Sequence, residues 1–354
     1  MSIPNSHQSD LYHTFTQLRF GELHIKRDEA TGLLAIIAIH STANGPALGG
    51  CRFRPYPTLE EGVIDALRLA QGMSYKAAIH QLPLGGGKAV IISPDISVPR
   101  TPLLKSFAEF VQSLNGRYIT AEDSGTSVED MDVINSVTAY VTGHSNQPLS
   151  HKDPSPISAF GVRRGIEAAV KFHLQRENCQ GIHVAIQGTG HVGYHLAKEL
   201  HQLGAILTVA DIHPESLIRC QDEFGATLVS PEEIHKVPCD VFSPCALSNA
   251  VTTQNINEIK AKIIAGSANV QLESPELAQT LKEKGILYAP DYVINGGGLI
   301  YVAAPLIHQT EEEAIKKVSD IYETLMLIFE QAKKGKLSTL TVADKIARQR
   351  LAHS

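Results

Sequence analysis

The stretch that most constrains this chain lies just past its middle, where a short apolar strand runs into a glycine-spaced turn that opens a helix. Val184-Ala185-Ile186 precedes Gly188-Thr189-Gly190-His191-Val192-Gly193, and Tyr194, Leu196, Ala197 and Leu200 follow at helical spacing. The spacing G-x-G-x-x-G alone is weak evidence, because many matches are ordinary glycine turns. Set between a strand and a helix, it has a physical meaning. The glycines permit a tight turn and the close approach of backbone N–H groups to a pyrophosphate, and the helix N-terminus adds partial positive charge. The next apolar strand, Ile206-Leu207-Thr208-Val209-Ala210, ends at Asp211. A carboxylate there accepts hydrogen bonds from ribose hydroxyls and repels a 2′-phosphate, which favours NAD over NADP. Asp211 also reads as a helix N-cap, because His213-Pro214 follows; the two readings are compatible. His213 would weaken the selection if it reached a 2′-phosphate.

At 354 residues the chain is too long for one comfortable core and suits two domains. Short strand candidates recur at His183–Gln187, Ile206–Asp211, Val241–Pro244, Ile263–Gly266 and Leu287–Pro290, mostly separated by helical segments. That alternation predicts a parallel sheet. The N-terminal half mixes a buried strand (Leu33–His40), a helix (Leu59–Ser74), a glycine run leading into the strand Ala89–Ile92, and a helix around Leu103–Leu114. Gly143–Pro156 is polar and aperiodic, and marks the boundary. The expected fold class is α/β in two domains: an N-terminal α/β domain over 1–150, then a Rossmann-type parallel-sheet dinucleotide domain over 151–330, with a deep cleft between them. A C-terminal helix at about 330–354 is expected to return to the first domain.

Composition removes other classes of function. The net charge is −6 and the basic residues are scattered, so no footprint for nucleic acid or an anionic membrane exists. No apolar run approaches the ~20 residues of a membrane span, and Met1–Asp10 is polar, unlike a signal peptide. Five cysteines, an odd number without metal-site spacing, read as reduced thiols in a cytoplasmic protein that holds no metal.

Two lysines and an aspartate carry the chemistry. Lys76 closes a helix, Lys88 follows the triple glycine Gly85-Gly86-Gly87, and Asp123 ends the strand Arg117-Tyr118-Ile119-Thr120-Ala121-Glu122. An isolated lysine is nearly always a solvated surface residue. Lys88 differs, because it sits between a glycine turn and a buried strand. Partial desolvation there lowers its pKa toward the range of proton transfer, and Asp123 supplies a complementary acid or base.

These residues fall in longer motifs. Gly45-Pro46-Ala47-Leu48-Gly49-Gly50, Gly72-Met73-Ser74-Tyr75-Lys76, Leu84-Gly85-Gly86-Gly87-Lys88 and Tyr118-Ile119-Thr120-Ala121-Glu122-Asp123 resemble the Glu/Leu/Phe/Val dehydrogenase family. Pro154-Ser155-Pro156, Gly266-Ser267-Ala268-Asn269 and Ala289-Pro290-Asp291-Tyr292-Val293-Ile294-Asn295 continue the likeness in order. It is nearest to the leucine enzymes, with the phenylalanine and valine enzymes next. The resemblance implies NAD-dependent oxidative deamination of an L-amino acid to a 2-oxo acid, ammonia and NADH. By it, Lys76 holds the substrate carboxylate, Lys88 activates water, and Asp123 moves protons at the substrate nitrogen. Gly49 and Gly50 let the backbone approach the substrate, while Ser158 and Asn269 lie near the nicotinamide. The first domain then serves substrate binding and oligomerisation, and a homo-oligomer, from dimer to octamer, is implied.

By the same likeness the substrate side chain meets Leu48, Met73, Ala121, Gly296 and Leu299, although such apolar positions are more often plain core. Ala121 agrees with the leucine enzymes. Leu299 is closer to the phenylalanine type, and Gly296 widens the pocket. A branched aliphatic substrate is the first expectation and an aromatic one the alternative, since one methylene changes discrimination by only about 1–3 kcal/mol. Other departures are Ser158 in place of threonine, Val270 where a second asparagine is common, the run Cys51-Arg52-Phe53-Arg54, and Ala303-Ala304-Pro305 in place of an acidic pair. Two rival readings are a hydroxy-acid dehydrogenase and a non-catalytic NAD or amino-acid sensor. The first normally needs a histidine base with an arginine clamp, and the second should have lost one of Lys76, Lys88 and Asp123.

Overall fold

The computed structural model describes residues 16, 21–93, 98–147, 153–246 and 249–352. The polar start Met1–Asp10 and the expected boundary at 150/151 lie outside the described residues. The chain divides into two compact units: Met1–Lys152 with Pro305–His308 and Ala347–Ser354, and Asp153–Ala304 with Gln309–Ile346.

Among its described residues the first unit builds one sheet from β1 (Glu22–Asp28), β2 (Leu33–Ser41), β3 (Ala47–Arg54), β4 (Gly85–Ile92) and β5 (Tyr118–Glu122). Their order across the sheet is β1-β2-β4-β3-β5. The pairs β1/β2 and β2/β4 are antiparallel, whereas β3 runs parallel to β4 and β5. Side chains alternate across the sheet with period two, and this divides the core into two layers. Ile36, Ala38 and Val90 bury against Val63, Ala66, Leu67 and Ala70 of α1 (Leu59–Ile79). On the opposite face Ala35, Ile37, Ala89 and Ile91 bury against Leu103, Phe107 and Val111 of α2 (Arg100–Ser113). Each fully buried Leu, Ile or Val in these layers contributes about 1.5–3 kcal/mol.

Helix α1 begins where Thr58 Oγ1 accepts the Glu61 N–H at 3.2 Å, with Glu60 and Glu61 in the first turn. It runs past Ser74 to Ile79, so Lys76 lies inside its last turn rather than closing it. A second correction concerns Gly85-Gly86-Gly87, expected as a turn: all three are strand residues of β4. The reason is steric. A Cβ on Gly86 would stand 2.0 Å from the Ser74 nitrogen, so α1 crosses β4 with backbone nearly against backbone. Helix α3 (Val128–Asn135) opens with a reciprocal capping box between Ser127 and Asp130.

The second unit starts with α4 (Ser155–Ala169), which continues into one wider helical turn over Val170–Leu174. Its strands are β6 (His183–Gln187), β7 (Ile206–Ala210), β8 (Thr227–Leu228), β9 (Val241–Pro244), β10 (Ile263–Ile264) and β11 (Leu287–Tyr288). They lie in the order β11-β10-β9-β6-β7-β8, every pair parallel. This is the doubly wound arrangement expected from the sequence, and it puts a topological switch point between β6 and β9. Helices α5 (His191–Gln202) and α6 (Pro214–Phe224) follow β6 and β7. Later helices are α7 (Leu277–Glu283), α8 (Asp291–Ile294), α9 (Gly297–Ala303), α10 (Glu311–Ser319), α11 (Ile321–Gly335) and α12 (Thr339–Ala352). Near the end of α12, Arg348 Nε donates to the Tyr75 hydroxyl at 2.8 Å, and Arg350 donates to the carbonyls of Ala78 and Ile79. Among the described residues no helix is long and apolar enough to cross a membrane.

Candidate active site

The chemistry in the first unit follows from the alternation of its strands. Ala47 and Cys51 belong to the α2 layer, so Leu48, Gly50 and Arg52 of β3 point to the α1 face. Lys88 shares that face with Val90, and the register Gly50↔Ala121 brings β5 alongside. Asp123, one residue beyond β5, therefore stands beside Gly50. A Cβ on Gly50 would lie 2.7 Å from the Asp123 Cβ, and one on Gly49 would lie 1.8 Å from the Gly87 carbonyl oxygen. The paired glycines thus have a structural reason, to let three strands and the Asp123 side chain close up, besides the substrate approach expected of them.

Two cations share the Asp123 carboxylate. Lys88 Nζ lies 2.8 Å from Oδ1, and Arg52 Nε donates to Oδ2 at 3.0 Å. Thr126 Oγ1 accepts the Asp123 N–H at 2.9 Å and donates to the Cys51 carbonyl at 3.0 Å, which fixes the backbone after β5. Lys88 is only 5% exposed. Its burial disfavours the ammonium and lowers its pKa, an effect that Asp123 only partly offsets. For Asp123 the balance is reversed. Burial favours the neutral acid, yet Lys88 and Arg52 together outweigh it and hold the carboxyl below its ordinary value. A buried amine of lowered proton affinity, bonded to an ionised carboxylate, can pass protons in either direction. Leu48 is buried, while Met73, Lys76 and Ala121 are partly exposed. Arg52 and Thr126 were not among the residues expected here. The run Cys51-Arg52-Phe53-Arg54 was conspicuous only as a departure from pattern, and a link of 71 residues to Asp123 leaves no local signal.

In the second unit Gly188 leaves β6 with φ +97°, and Gly190 caps α5 without a side-chain bond. A Cβ on Gly193 would stand 1.9 Å from the Gly188 carbonyl oxygen, so only glycine lets α5 start this close to the turn. Asp211 binds the same turn: Oδ2 accepts the Thr189 N–H at 2.6 Å and its hydroxyl at 3.2 Å, while Oδ1 accepts the His213 N–H at 2.9 Å. Burial works against its charge, but these bonds prevail and keep its pKa low. The N-cap of α6 is His213, so Asp211 makes a turn before the helix instead of capping it. Val192 is partly exposed within the first turn of α5. His191 beside it is almost fully exposed, with Nδ1 4.0 Å from Asp153 Oδ2. A cavity of about 410 Å³ opens here, lined by Asp153, Thr189, Gly190, His191, Tyr194 and Arg219 among others.

Ser158 sits in α4 under the glycines that start α9, its Oγ 2.8 Å from where a Gly298 Cβ would be. Gly296 is the N-cap of α9 and Leu299 lies in its first turn, so these three expected residues share one neighbourhood. Asn269 joins through Asn295, whose amide donates to Asn269 Oδ1 at 2.9 Å and reaches the Ser267 and Ala268 carbonyls at 3.2 Å. Asn295 stands in a quoted motif, but its orienting role was not foreseen. Val270 has φ +51°, a left-handed conformation that asparagine tolerates and a β-branched residue resists.

The likeness to known proteins covers most of this chain. The model of the Glu/Leu/Phe/Val dehydrogenase dimerisation domain matches residues 18–140, and that of Glutamate/Leucine/Phenylalanine/Valine dehydrogenase matches residues 213–353. Leucine dehydrogenase of Thermoactinomyces intermedius is 47% identical over 332 residues, covering 94% of this chain and 91% of its own. L-tryptophan dehydrogenase of Nostoc punctiforme is 45% identical over 322 residues, 90% of each chain. The crystal structure of L-tryptophan dehydrogenase from Nostoc punctiforme superposes with a TM-score of 0.86 at 41% identity, over 97% of this chain and 98% of that one. Identity at this level along nearly the full length of both partners makes the chain a member of the Glu/Leu/Phe/Val dehydrogenase family, as its motifs led us to expect.

Proposed function

We propose that the chain catalyses the reversible NAD-dependent oxidative deamination of an apolar L-amino acid, leucine, valine or isoleucine first, to its 2-oxo acid, ammonia and NADH. The observation that carries this reading is the contact at 2.8 Å between the buried Lys88 and the partly buried Asp123, one partner with lowered proton affinity and the other held ionised. The second unit supplies residues that fit the cofactor. The direction of a Gly190 Cβ is open, with nothing within 4 Å, so backbone N–H groups at the start of α5 are accessible to a pyrophosphate. Gly188, Thr189, Gly190, His191, Val192 and Gly193 would hold the phosphates, Asp211 the ribose hydroxyls, and Ser158 and Asn269 the nicotinamide end. Bound NAD supplies the hydride acceptor for the substrate α-carbon.

The remaining steps belong to the chain. Lys76 holds the substrate carboxylate as a point charge. Asp123 takes a proton from the substrate ammonium, which prepares the amine for oxidation. Lys88, as the neutral amine, removes a proton from the water that attacks the imine carbon, and the resulting ammonium stabilises the developing oxyanion. Asp123 returns its proton to the departing nitrogen. Its freed carboxylate takes the proton of the carbinolamine hydroxyl as ammonia leaves and the C=O forms, so the two protons released end on Lys88 and Asp123. In the first unit Leu48, Met73 and Ala121 would meet the substrate side chain. Gly296 and Leu299 favour a second reading, an aromatic amino acid, and the similarity to a tryptophan dehydrogenase supports it as well. We further propose a cytoplasmic homo-oligomer.

The test follows NADH absorbance with leucine, valine, isoleucine, phenylalanine, tryptophan and glutamate, with lactate as control, in the wild type and in Lys88→Ala. One apolar amino acid should turn over, with loss of about 10²–10⁴-fold in the variant, the usual size of an acid–base contribution. NAD binding without turnover of any amino acid would contradict the proposal and favour the sensor.

A further inference from the structure

Arg52 belongs to none of the roles assigned above, yet it touches the same carboxylate as Lys88. Its guanidinium spans two acids: Nε donates to Asp123 Oδ2 at 3.0 Å and Nη1 to Asp65 Oδ2 at 2.9 Å. Asp65 also accepts the Tyr56 hydroxyl, at 2.5 Å on the same oxygen. The Arg52 side chain is 21% exposed and Asp65 29%, so this chain of bonds is largely withdrawn from water. Lys88, Asp123, Arg52, Asp65 and Tyr56 form one continuous line along the α1 face of the sheet.

We infer that Arg52 is the positioning residue of the proton-transfer pair: a permanent positive charge, anchored by Asp65, that keeps Asp123 ionised while Lys88 is in its neutral, base form. The inference rests on the proposed roles of Lys88 and Asp123. Its physical reason lies in the reaction cycle. Lys88 must enter the cycle without its proton, and Asp123, which must be ionised to take one from the substrate ammonium, then lacks the ammonium that balances its charge. A buried carboxylate beside a neutral amine draws the proton to itself, and the pair is then spent as an acid–base couple. A guanidinium does not titrate in a protein, so its field persists through every protonation state of Lys88. Only arginine has the fork to hold Asp123 with one nitrogen and Asp65 with another. Lysine would bring the charge without the second anchor.

The sign of the effect does not depend on which partner holds the proton. Arg52 lowers the proton affinity of Asp123 and also that of Lys88. The two titrate as a unit, so losing Arg52 raises the proton affinity of the pair. Among the described residues, Cys51 on β3 and Tyr118 and Glu122 on β5 are also coupled electrostatically to Asp123. Burial keeps the Cys51 thiol and the Tyr118 hydroxyl protonated, and Glu122 repels a second negative charge. Asp130 on α3 is taken up by Arg100 at 2.6 Å. None of them replaces the charge of Arg52.

The experiment is the pH dependence of kcat/KM for amino-acid oxidation in the full-length protein, for wild type, Arg52→Gln, Arg52→Lys, Asp65→Asn and Asp123→Asn. The acid limb of Arg52→Gln should move to higher pH by about one unit, within the range for an arginine beside a carboxylate. Arg52→Lys should bring it part of the way back. Asp65→Asn leaves the charge but frees its anchor, and should shift the limb less; it keeps the test open if Arg52→Gln folds poorly. NAD affinity should stay within twofold in all of them. A limb that stays put in both Arg52→Gln and Asp65→Asn, with activity lowered equally at every pH, would overturn the inference and leave Arg52 a purely structural residue. Full activity in Asp123→Asn would instead overturn the reading beneath it.

Discussion

Asp123 and Asp211 invite comparison, because each follows a parallel strand and each keeps its carboxylate ionised against the cost of burial. They do so by opposite means. Asp123, after β5, is held by two full charges, Lys88 at 2.8 Å and Arg52 at 3.0 Å. Asp211, after β7, is held by neutral donors: two backbone N–H groups and one hydroxyl. A carboxylate balanced by cations responds when one of them is deprotonated or removed. One balanced by dipoles in a fixed turn does not. The first arrangement suits an atom that must take and return a proton, and the second suits a fixed hydrogen-bond acceptor for a ribose.

The comparison can be broken in several places. The largest effect is expected in the charged site, where Lys88→Ala should cost turnover by orders of magnitude, as stated above. In the neutral site the severest change is Gly193→Ala. Its methyl would overlap the Gly188 carbonyl, and forced overpacking of this kind costs about 1–3 kcal/mol. Thermal melting should register that loss, and NAD affinity should fall with it. Asp211→Ser should be milder, lowering NAD affinity about tenfold by loss of a charged hydrogen bond and narrowing the preference over NADP. Cofactor titration checks it, and an unchanged NAD-to-NADP ratio would remove Asp211 from ribose recognition. Smallest is Val270→Asn. It relieves a left-handed valine and should stabilise the fold by about 1 kcal/mol, read as a raised Tm with turnover unaffected.

Much of the second unit was legible because its physics is local. Strands β6, β7 and β9 are buried on both faces and read as apolar runs, and the glycine turn, α5 and Asp211 follow in one stretch of sequence. The first unit was harder, since its decisive contacts are distant in sequence. Gly85-Gly86-Gly87 looked like a turn because glycine usually marks one. The helix that crosses Gly86, and the carbonyls and the Tyr118 ring that crowd Gly85 and Gly87, are revealed only by the fold. Strand β1 escaped notice because it lies at the sheet edge, half exposed, and its charged residues blur the alternation. The two-residue strand β8 is too short to show any period. Lys88 and Asp123 stood out by their places beside a glycine run and at a strand end, and their motifs then gave them roles, whereas Arg52 resembles any surface arginine until β3 and β5 are set side by side.

The most direct test of the division between a charged site for protons and a neutral site for cofactor is one sample of Asp123→Asn, assayed for both NAD binding and turnover. The substitution removes the charge and preserves the shape. NAD affinity is expected within twofold of wild type, with kcat for amino-acid oxidation lower by about 10²–10⁴-fold. Turnover at the wild-type rate would contradict the assignment of proton transfer to Asp123, and a parallel loss of NAD binding would show that the two sites do not divide the work in this way.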